Sequence, residues 1–146
     1  MFRLSTKVRY GLRFMLDLAF HNREWPIPLR EIARRERISE KYLGNLIVPL
    51  RTACLIRSVR GSQGGYALAR PASQMSLKDI IRALEGPLSL VECVDNPSTC
   101  RAAPICVHRD IFYEISEKLQ ELLEAVTLED MVQRGRNKAS DAATCQ

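Results

Sequence analysis

Apolar residues recur at helical spacing through the first third of the chain and divide it into three predicted helices. These helices cover about residues 5–22, 28–36 and 39–53, and each has apolar positions three or four residues apart. That spacing is typical of a helix that buries one face. Ser5 and Ser39 are suitable N-caps for the first and third helices. Two short helices joined by a tight turn indicate a helix-turn-helix, in which the second helix enters the major groove of DNA.

The pattern then changes from helical spacing to alternation. Leu55–Val59 and Tyr66–Ala69 predict two strands, and the glycines between them permit a tight turn. Such a hairpin is the wing of a winged helix-turn-helix, with Arg60 at its tip. A phosphate-binding loop would need a following GK[ST] and a helix, whereas a strand follows here. The predicted fold class is therefore mainly α with a small β-hairpin wing.

A short helix and a long helix are predicted beyond the wing. Ser76 caps the short helix, which ends at Gly86, and the long helix runs from about Val107 to Val126. The apolar stripe of the long helix is too broad for one chain of this size to cover, so we interpret it as a dimerisation helix. The stripe consists of Ile111, Ile115, Leu119, Leu122, Leu123 and Val126, and all of these except Leu123 form the expected dimer interface.

This pattern divides the chain into four parts. We expect a winged helix-turn-helix DNA-binding domain at residues 1–86, a cysteine loop at 87–106 and a dimerisation helix region at 107–134. Residues 135–146 are polar and small, and we expect them to be disordered.

The charge of the chain is divided unevenly. Residues 1–70 carry 14 Lys and Arg against 5 Asp and Glu, and residues 71–146 carry 8 against 12, so the net charge of +5 separates into +9 and −4. A basic amino-terminal half favours binding to the phosphates of nucleic acid. The acidic half suits a sensing or assembly role.

The five cysteines belong to a chain that we expect to be cytoplasmic. No apolar run approaches the ~20 residues of a membrane span, and the charged amino terminus is unlike a secretory signal. Thiols stay reduced inside the cell, and an odd number of cysteines argues against a disulfide framework. We expect Cys54 to be buried in the core and Cys145 to have no role.

The other three cysteines, Cys93, Cys100 and Cys106, lie within fourteen residues of one another. Thiolates are the preferred ligands of soft metals and iron–sulfur clusters, and three of them in a hydrophilic loop indicate such a site. Zinc held by three cysteines and a histidine is an alternative.

Several segments resemble one protein family. They are RLSTKVRYGLRFMLDLA at the start, ISEKYLGNLIVPLR in the third helix, SVRGSQGGYALARP in the wing, and the triple-cysteine loop before a long helix. Over about residues 2–134 the chain resembles the Rrf-two family of winged helix-turn-helix repressors, which includes IscR-like iron–sulfur regulators and NsrR-like nitric-oxide sensors. The resemblance implies a homodimer on a palindromic operator in double-stranded DNA, with one iron–sulfur cluster per subunit on the three cysteines.

The resemblance leaves the fourth ligand open. Cluster-regulator relatives use a histidine three residues after the last cysteine, where this chain has Arg109, and His108 lies one residue earlier. Nitric-oxide-sensing relatives use an aspartate from the first helix of the partner, and the matching Arg9 cannot ligate. His108, Glu92, Asp110 and a small exogenous thiol or water remain. The cluster is therefore either 2Fe–2S or 4Fe–4S.

Polar residues of the third helix and the wing are the expected DNA contacts. Asn45 can pair with adenine, and Arg60 suits a narrow minor groove. Some relatives have a glutamate at the position of Gly44 that helps to select the operator. The predicted contact set is Lys7, Ser39, Lys41, Tyr42, Asn45, Arg60, Gly61 and Ser62.

These observations favour a regulator over an enzyme, since the sequence has no paired catalytic carboxylates, nucleophile–base set or nucleotide loop. We expect a dimeric transcription regulator whose operator binding is controlled by an iron–sulfur cluster that senses redox state, nitric oxide or iron–sulfur status. The alternative is a cluster-free regulator, binding DNA or a partner protein, whose cysteines bind zinc or are oxidised directly.

Overall fold

The computed structural model describes residues 4–21 and 25–144 as seven helices and a two-stranded hairpin. The fold class predicted from the sequence is confirmed. Short 3₁₀ turns lie at Ala72–Gln74, Pro97–Thr99 and Ala103–Ile105. In chain order the main elements are α1 (Thr6–Phe20), α2 (Leu29–Glu36), α3 (Glu40–Thr52), β1 (Ile56–Val59), β2 (Gly65–Leu68), α4 (Leu77–Glu85), α5 (Glu92–Asp95), α6 (Val107–Ala125) and α7 (Leu128–Thr144).

The N-caps predicted from the sequence are confirmed. The hydroxyl of Ser5 accepts a hydrogen bond from the N–H of Val8, and the hydroxyl of Ser39 accepts one from the N–H of Tyr42, both at 3.2 Å. Ser76 forms a capping box at the start of α4, because its own N–H also donates to the carboxylate three residues later. Each cap satisfies a backbone donor that has no partner within its helix.

The turn between α2 and α3 is tight, and its apolar residue Ile38 is buried. Arg37 adopts a left-handed conformation with φ 54° at the end of α2, and the N–H of Ile38 donates to the carbonyl of Ala33 at 3.1 Å. The Ile38 side chain is buried between the two helices' ends. This geometry fixes α3 relative to α2, as a helix-turn-helix requires.

The hairpin lies beside α3 and takes a third strand-like partner. β1 and β2 are antiparallel, with Ile56 opposite Leu68. Ile27 and Tyr66 exchange two backbone hydrogen bonds of 2.8 and 2.9 Å, so the segment before α2 joins the edge of β2. A Cβ on Gly65 would lie 2.3 Å from the carbonyl oxygen of Ile27, which explains the glycine at that position.

The core is centred on α1, which packs against α2, α3, α4, α7 and β2. Asp17 is 3% exposed in α1, and both of its carboxylate oxygens accept hydrogen bonds from Arg35, at 2.6 and 2.7 Å. This contact raises the pKa of the Arg35 guanidinium. The largest fully buried side chains are Phe14, Met15, Leu18, Ile32, Leu43, Leu46, Leu50, Leu55, Ile56, Met75, Ile80 and Leu128.

The last helix corrects the prediction of a disordered tail. α7 begins after a reciprocal cap, in which the N–H of Thr127 donates to the Asp130 carboxylate and the N–H of Asp130 donates to the Thr127 hydroxyl. The N–H and the hydroxyl of Thr127 both donate to this carboxylate, and they hold the pKa of Asp130 below its usual value. Gly135 packs so closely on Phe20 that a Cβ there would lie 2.4 Å from the ring.

The prediction of disorder is therefore wrong for residues 135–144, which continue α7. A helix that is already anchored extends at small cost even through polar residues, because each added residue gains a backbone hydrogen bond. Residues 145–146, including Cys145, lie outside the described residues. Within the described ranges, no helix combines the length and the apolar character needed to cross a membrane.

Candidate DNA-binding surface and cysteine segment

The outward face of α3 presents polar side chains of the predicted contact set. Lys41 and Asn45 are exposed and lie one turn apart, while the opposite face of the helix is buried in the core. Ser39 is exposed, but its hydroxyl is engaged as the N-cap. Tyr42 is half-buried, with its ring 5.5 Å from that of Tyr10 in an edge-to-face arrangement. Lys41 and Asn45 are therefore the most accessible candidates for contacts with base edges.

The turn of the hairpin and the start of α1 carry the other predicted contacts. Arg60, Gly61 and Ser62 are all exposed in the turn between β1 and β2, where Gly61 has a φ of 122°. Only a residue without a Cβ adopts that conformation readily. Lys7 is exposed in the first turn of α1. Their roles on DNA remain predictions.

Cys54 corrects a further expectation. It follows α3 with a φ of 55°, and its side chain is exposed rather than buried. The left-handed conformation of Cys54 turns its side chain away from the core. The next residue, Leu55, is fully buried instead. A helix-ending turn of this kind changes which side of the chain faces inward.

The three clustered cysteines lie in the cysteine segment, which we define as residues 87–106, between α4 and α6. Cys93 is half-buried in the short helix α5, Cys100 is exposed after a 3₁₀ turn, and Cys106 is half-buried immediately before α6. All three are free thiols. A cleft of about 420 Å³ lies beside Cys100 and is bordered by Arg101 and Arg109.

Two hydrogen bonds attach the cysteine segment to α6. Arg109 donates from Nε to the carbonyl oxygen of Cys93 at 2.9 Å. Ser116 is 1% exposed, and its hydroxyl accepts the N–H of Leu90 at 3.2 Å while donating to the carbonyl of Phe112. Sequence reasoning missed both attachments. Ser116, between Phe112 and Leu123 on the inner face of α6, was the signal that would have indicated one of them.

The thiols share a segment but are not gathered around one point. Among the described residues, no three Cys, His, Asp or Glu side chains lie close enough together to hold a metal ion. His108 is exposed in the first turn of α6, and Glu92 and Asp110 are also exposed. Arg109, at the position where cluster-regulator relatives have a histidine, is engaged with Cys93. The ligand set remains a prediction.

The apolar stripe predicted on α6 is largely open. Leu123 is half-buried and packs against the core, and Leu119 borders a cleft with Leu4 and Ile81. Val126 is half-buried at the end of the stripe. The other four members are exposed by 37–69%: Ile111, Ile115, Leu119 and Leu122.

Comparison with known families identifies the chain. A family model described as "Rrf2: Iron-dependent Transcriptional regulator" matches residues 4–134. The chain belongs to the Rrf2 family. Rrf2 members among its relatives are named as transcriptional regulators, so this chain is a DNA-binding transcriptional regulator. None of the names used for these relatives denotes an enzyme.

Three Rrf2 relatives illustrate the similarity. The regulator CymR of Bacillus subtilis is 40% identical over 88% of this chain and 88% of its own length. Its structure, described as that of the global cysteine regulator, superposes with a TM-score of 0.75 and covers 92% of this chain and 98% of that one. Protein rrf2 of Nitratidesulfovibrio vulgaris is 37% identical over 98% and 91%. The structure of T. potens IscR is 39% identical, covers 92% and 88%, and has a TM-score of 0.73.

Proposed function

We propose that this Rrf2 regulator binds a palindromic operator as a homodimer and that an iron–sulfur cluster on Cys93, Cys100 and Cys106 controls its affinity for DNA. The observation that carries the proposal is the attachment of the triple-cysteine segment to α6, the helix with the exposed apolar stripe. Through these hydrogen bonds, a structural change in the cysteine segment would move α6, the helix that would join two subunits.

The donor chemistry fits the proposed cluster. The cysteines are free thiols, each at least partly exposed, and thiolate is the ligand that iron–sulfur clusters use. His108, Glu92, Asp110 or an exogenous group would complete the set, and the cluster type stays open between 2Fe–2S and 4Fe–4S. When bound, the cluster supplies redox and ligand-exchange reactivity. Because the thiols are apart in the described structure, we propose that binding gathers them and orders the segment.

The far end of α6 contacts the DNA-binding domain. The N–H of Leu77 donates to the carbonyl of Val126, and the N–H of Leu128 donates to the carbonyl of Met75, both at 2.8 Å. Lys78 pairs with Glu124 at 3.0 Å across α4 and α6. Since α4 packs on α3, a shift of α6 is transmitted by direct contact to the helix that enters the groove.

The experiment is purification without oxygen, followed by iron and sulfide analysis, a visible spectrum and titration of DNA binding. We expect iron and sulfide in stoichiometric amounts and an operator affinity that changes when the cluster is removed. Cys100→Ala should abolish stable cluster binding while the chain stays folded. Cys54→Ala is the matched control, because Cys54 is an exposed free thiol outside the segment.

Retention of full iron and an unchanged spectrum in Cys100→Ala would contradict this ligand set. The likeness to a structure described as that of a global cysteine regulator favours a second candidate, in which the thiols bind zinc or are oxidised directly. A colourless protein that holds zinc, or one whose DNA affinity responds to oxidant without iron, would support that candidate instead.

A further inference from the structure

An apolar side chain stands on the outward face of α3, among the residues expected to contact DNA. Val48 is 57% exposed. It follows Lys41 by seven residues and Asn45 by three, so the three share one face of the helix. The opposite face supplies four buried leucine and isoleucine side chains to the core. Val48 therefore buries much less apolar surface within the chain than these four side chains do.

Gly44 leaves a gap beside Val48, one helical turn before it. Apart from the adjacent residues and the backbone of its own helix, no described heavy atom would lie within 4 Å of a Cβ built on Gly44. Glycine in a helix interior costs stability relative to alanine, and here no steric need within the chain requires it. A glycine of this kind suits a place where another molecule approaches the backbone closely.

Two neighbours of Val48 offer no free hydrogen-bond donor to a base. The hydroxyl of Thr52 donates to the carbonyl of Val48 at 2.9 Å, so it is held against its own helix. Pro49 lies inside α3 and is half-buried, and it has no N–H to offer. Gly44, Val48 and Pro49 together form a small apolar surface next to the amide of Asn45.

We infer that Val48 and the gap at Gly44 receive the C5-methyl group of a thymine in the major groove, next to the base contacted by Asn45. The inference rests on the entry of α3 into the groove. Thymine alone among the four DNA bases presents a methyl group there, and small apolar side chains contact it. Asn45 beside Val48 makes this part of the operator specific for A·T pairs, and Val48 is the residue that distinguishes thymine by its methyl.

The test removes the methyl from the DNA and the side chain from the protein. Selection from random duplexes with the native protein yields its operator, and each thymine is then replaced in turn by deoxyuridine, which lacks only the methyl. We expect one position in each half-site where this replacement weakens binding about fourfold, the value of burying one methyl group. In Val48→Ser the same replacement should have no effect. Thermal melting checks that Val48→Ser is folded, as expected for an exposed position.

Asn45→Ala is the matched variant on the same face. It should lose preference for adenine but keep the fourfold penalty for deoxyuridine. An equal penalty in native protein and Val48→Ser, or no sensitive thymine at all, would overturn the assignment of Val48. Failure of the native protein to select any duplex would instead contradict DNA binding itself, and the assignment with it.

Discussion

At the scale of single residues, Gly44 is a position where stability and DNA binding oppose each other. Replacement by alanine should raise the free energy of unfolding by about 0.5–1 kcal/mol, because alanine loses less backbone entropy in a helix than glycine. The new methyl also meets no described atom within 4 Å apart from adjacent residues and the backbone of its own helix. The same methyl should weaken operator binding by filling the gap. Urea denaturation and fluorescence anisotropy measure the two effects.

Gly135 provides the contrast to Gly44. A Cβ there would lie 2.4 Å from Phe20, so Gly135→Ala should gain less stability than Gly44→Ala, or lose it. A Gly44→Ala variant that is more stable and binds its operator unchanged would show that DNA does not approach this part of α3.

The pair of Asp17 and Arg35 is a second residue-scale feature with a measurable consequence. Asp17→Asn removes the charge that two guanidinium nitrogens contact at 2.6 and 2.7 Å. Arg35 then stays partly buried with only Glu31 as a charged partner. We expect a loss of about 1.5–3 kcal/mol in the free energy of unfolding, since a hydrogen bond between charged groups contributes about this much. A comparable loss in Lys118→Gln, at an exposed pair, would contradict the role of burial.

At the scale of elements, α6 carries the prediction about assembly. Leu122 is the most exposed member of its apolar stripe, at 69%, so Leu122→Glu should leave the fold intact. If the stripe is covered by a second subunit at ~25 cal/mol per Å² of buried surface, the charge should produce monomers with weak operator binding. Sedimentation velocity reports the oligomeric state.

Glu117→Ala, on the other side of α6, is the control for this prediction and should stay dimeric. A Leu122→Glu protein that also sediments as a dimer would place the interface elsewhere.

The elements also show how far sequence reasoning reaches. Local signals predicted α1 to α4 and the hairpin, since caps such as Ser39 and Ser76 and the glycines of the turn act over three or four residues. α7 was missed beyond its first turns because it is held by the tertiary contact of Gly135 with Phe20. No periodicity in residues 135–144 records that contact.

The candidate site likewise has features that the sequence predicted and features that depend on tertiary contacts. The exposure of Lys41 and Asn45 follows from helical spacing, and the structure agrees. The attachment of Cys93 by Arg109 joins residues sixteen positions apart through a backbone carbonyl, which every residue has, so no side-chain pattern foretells it. Cys54 was misjudged because one left-handed residue reverses the face of the chain that meets the core.

At the scale of the whole molecule, the division of charge predicts how binding responds to salt. Lys7→Ala in the basic half should weaken binding to operator and random DNA alike and reduce the slope of log K against log salt by about one unit, because one phosphate contact is lost. Asn45→Ala should cost about 1–3 kcal/mol on the operator and little on random DNA. Anisotropy titrations of both variants on both duplexes across a salt series measure this.

Equal losses for Asn45→Ala on the two duplexes would remove it from the base-contacting set. An unchanged salt slope in Lys7→Ala would mean that its ammonium group does not lie on a phosphate.

The hydrogen bonds that join Leu90 and Cys93 to α6 allow the rest of the cysteine segment to change in length without moving the helices on either side. Since the chain is fixed before residue 94 and again where α6 begins, an inserted or deleted residue between those points leaves the register of every other helix unchanged. Selection can therefore alter the length and chemistry of residues 94–105 without re-optimising the DNA-binding domain. The surroundings of Cys100 can vary in this way, while Cys93 and Cys106 keep their places at the two fixed ends.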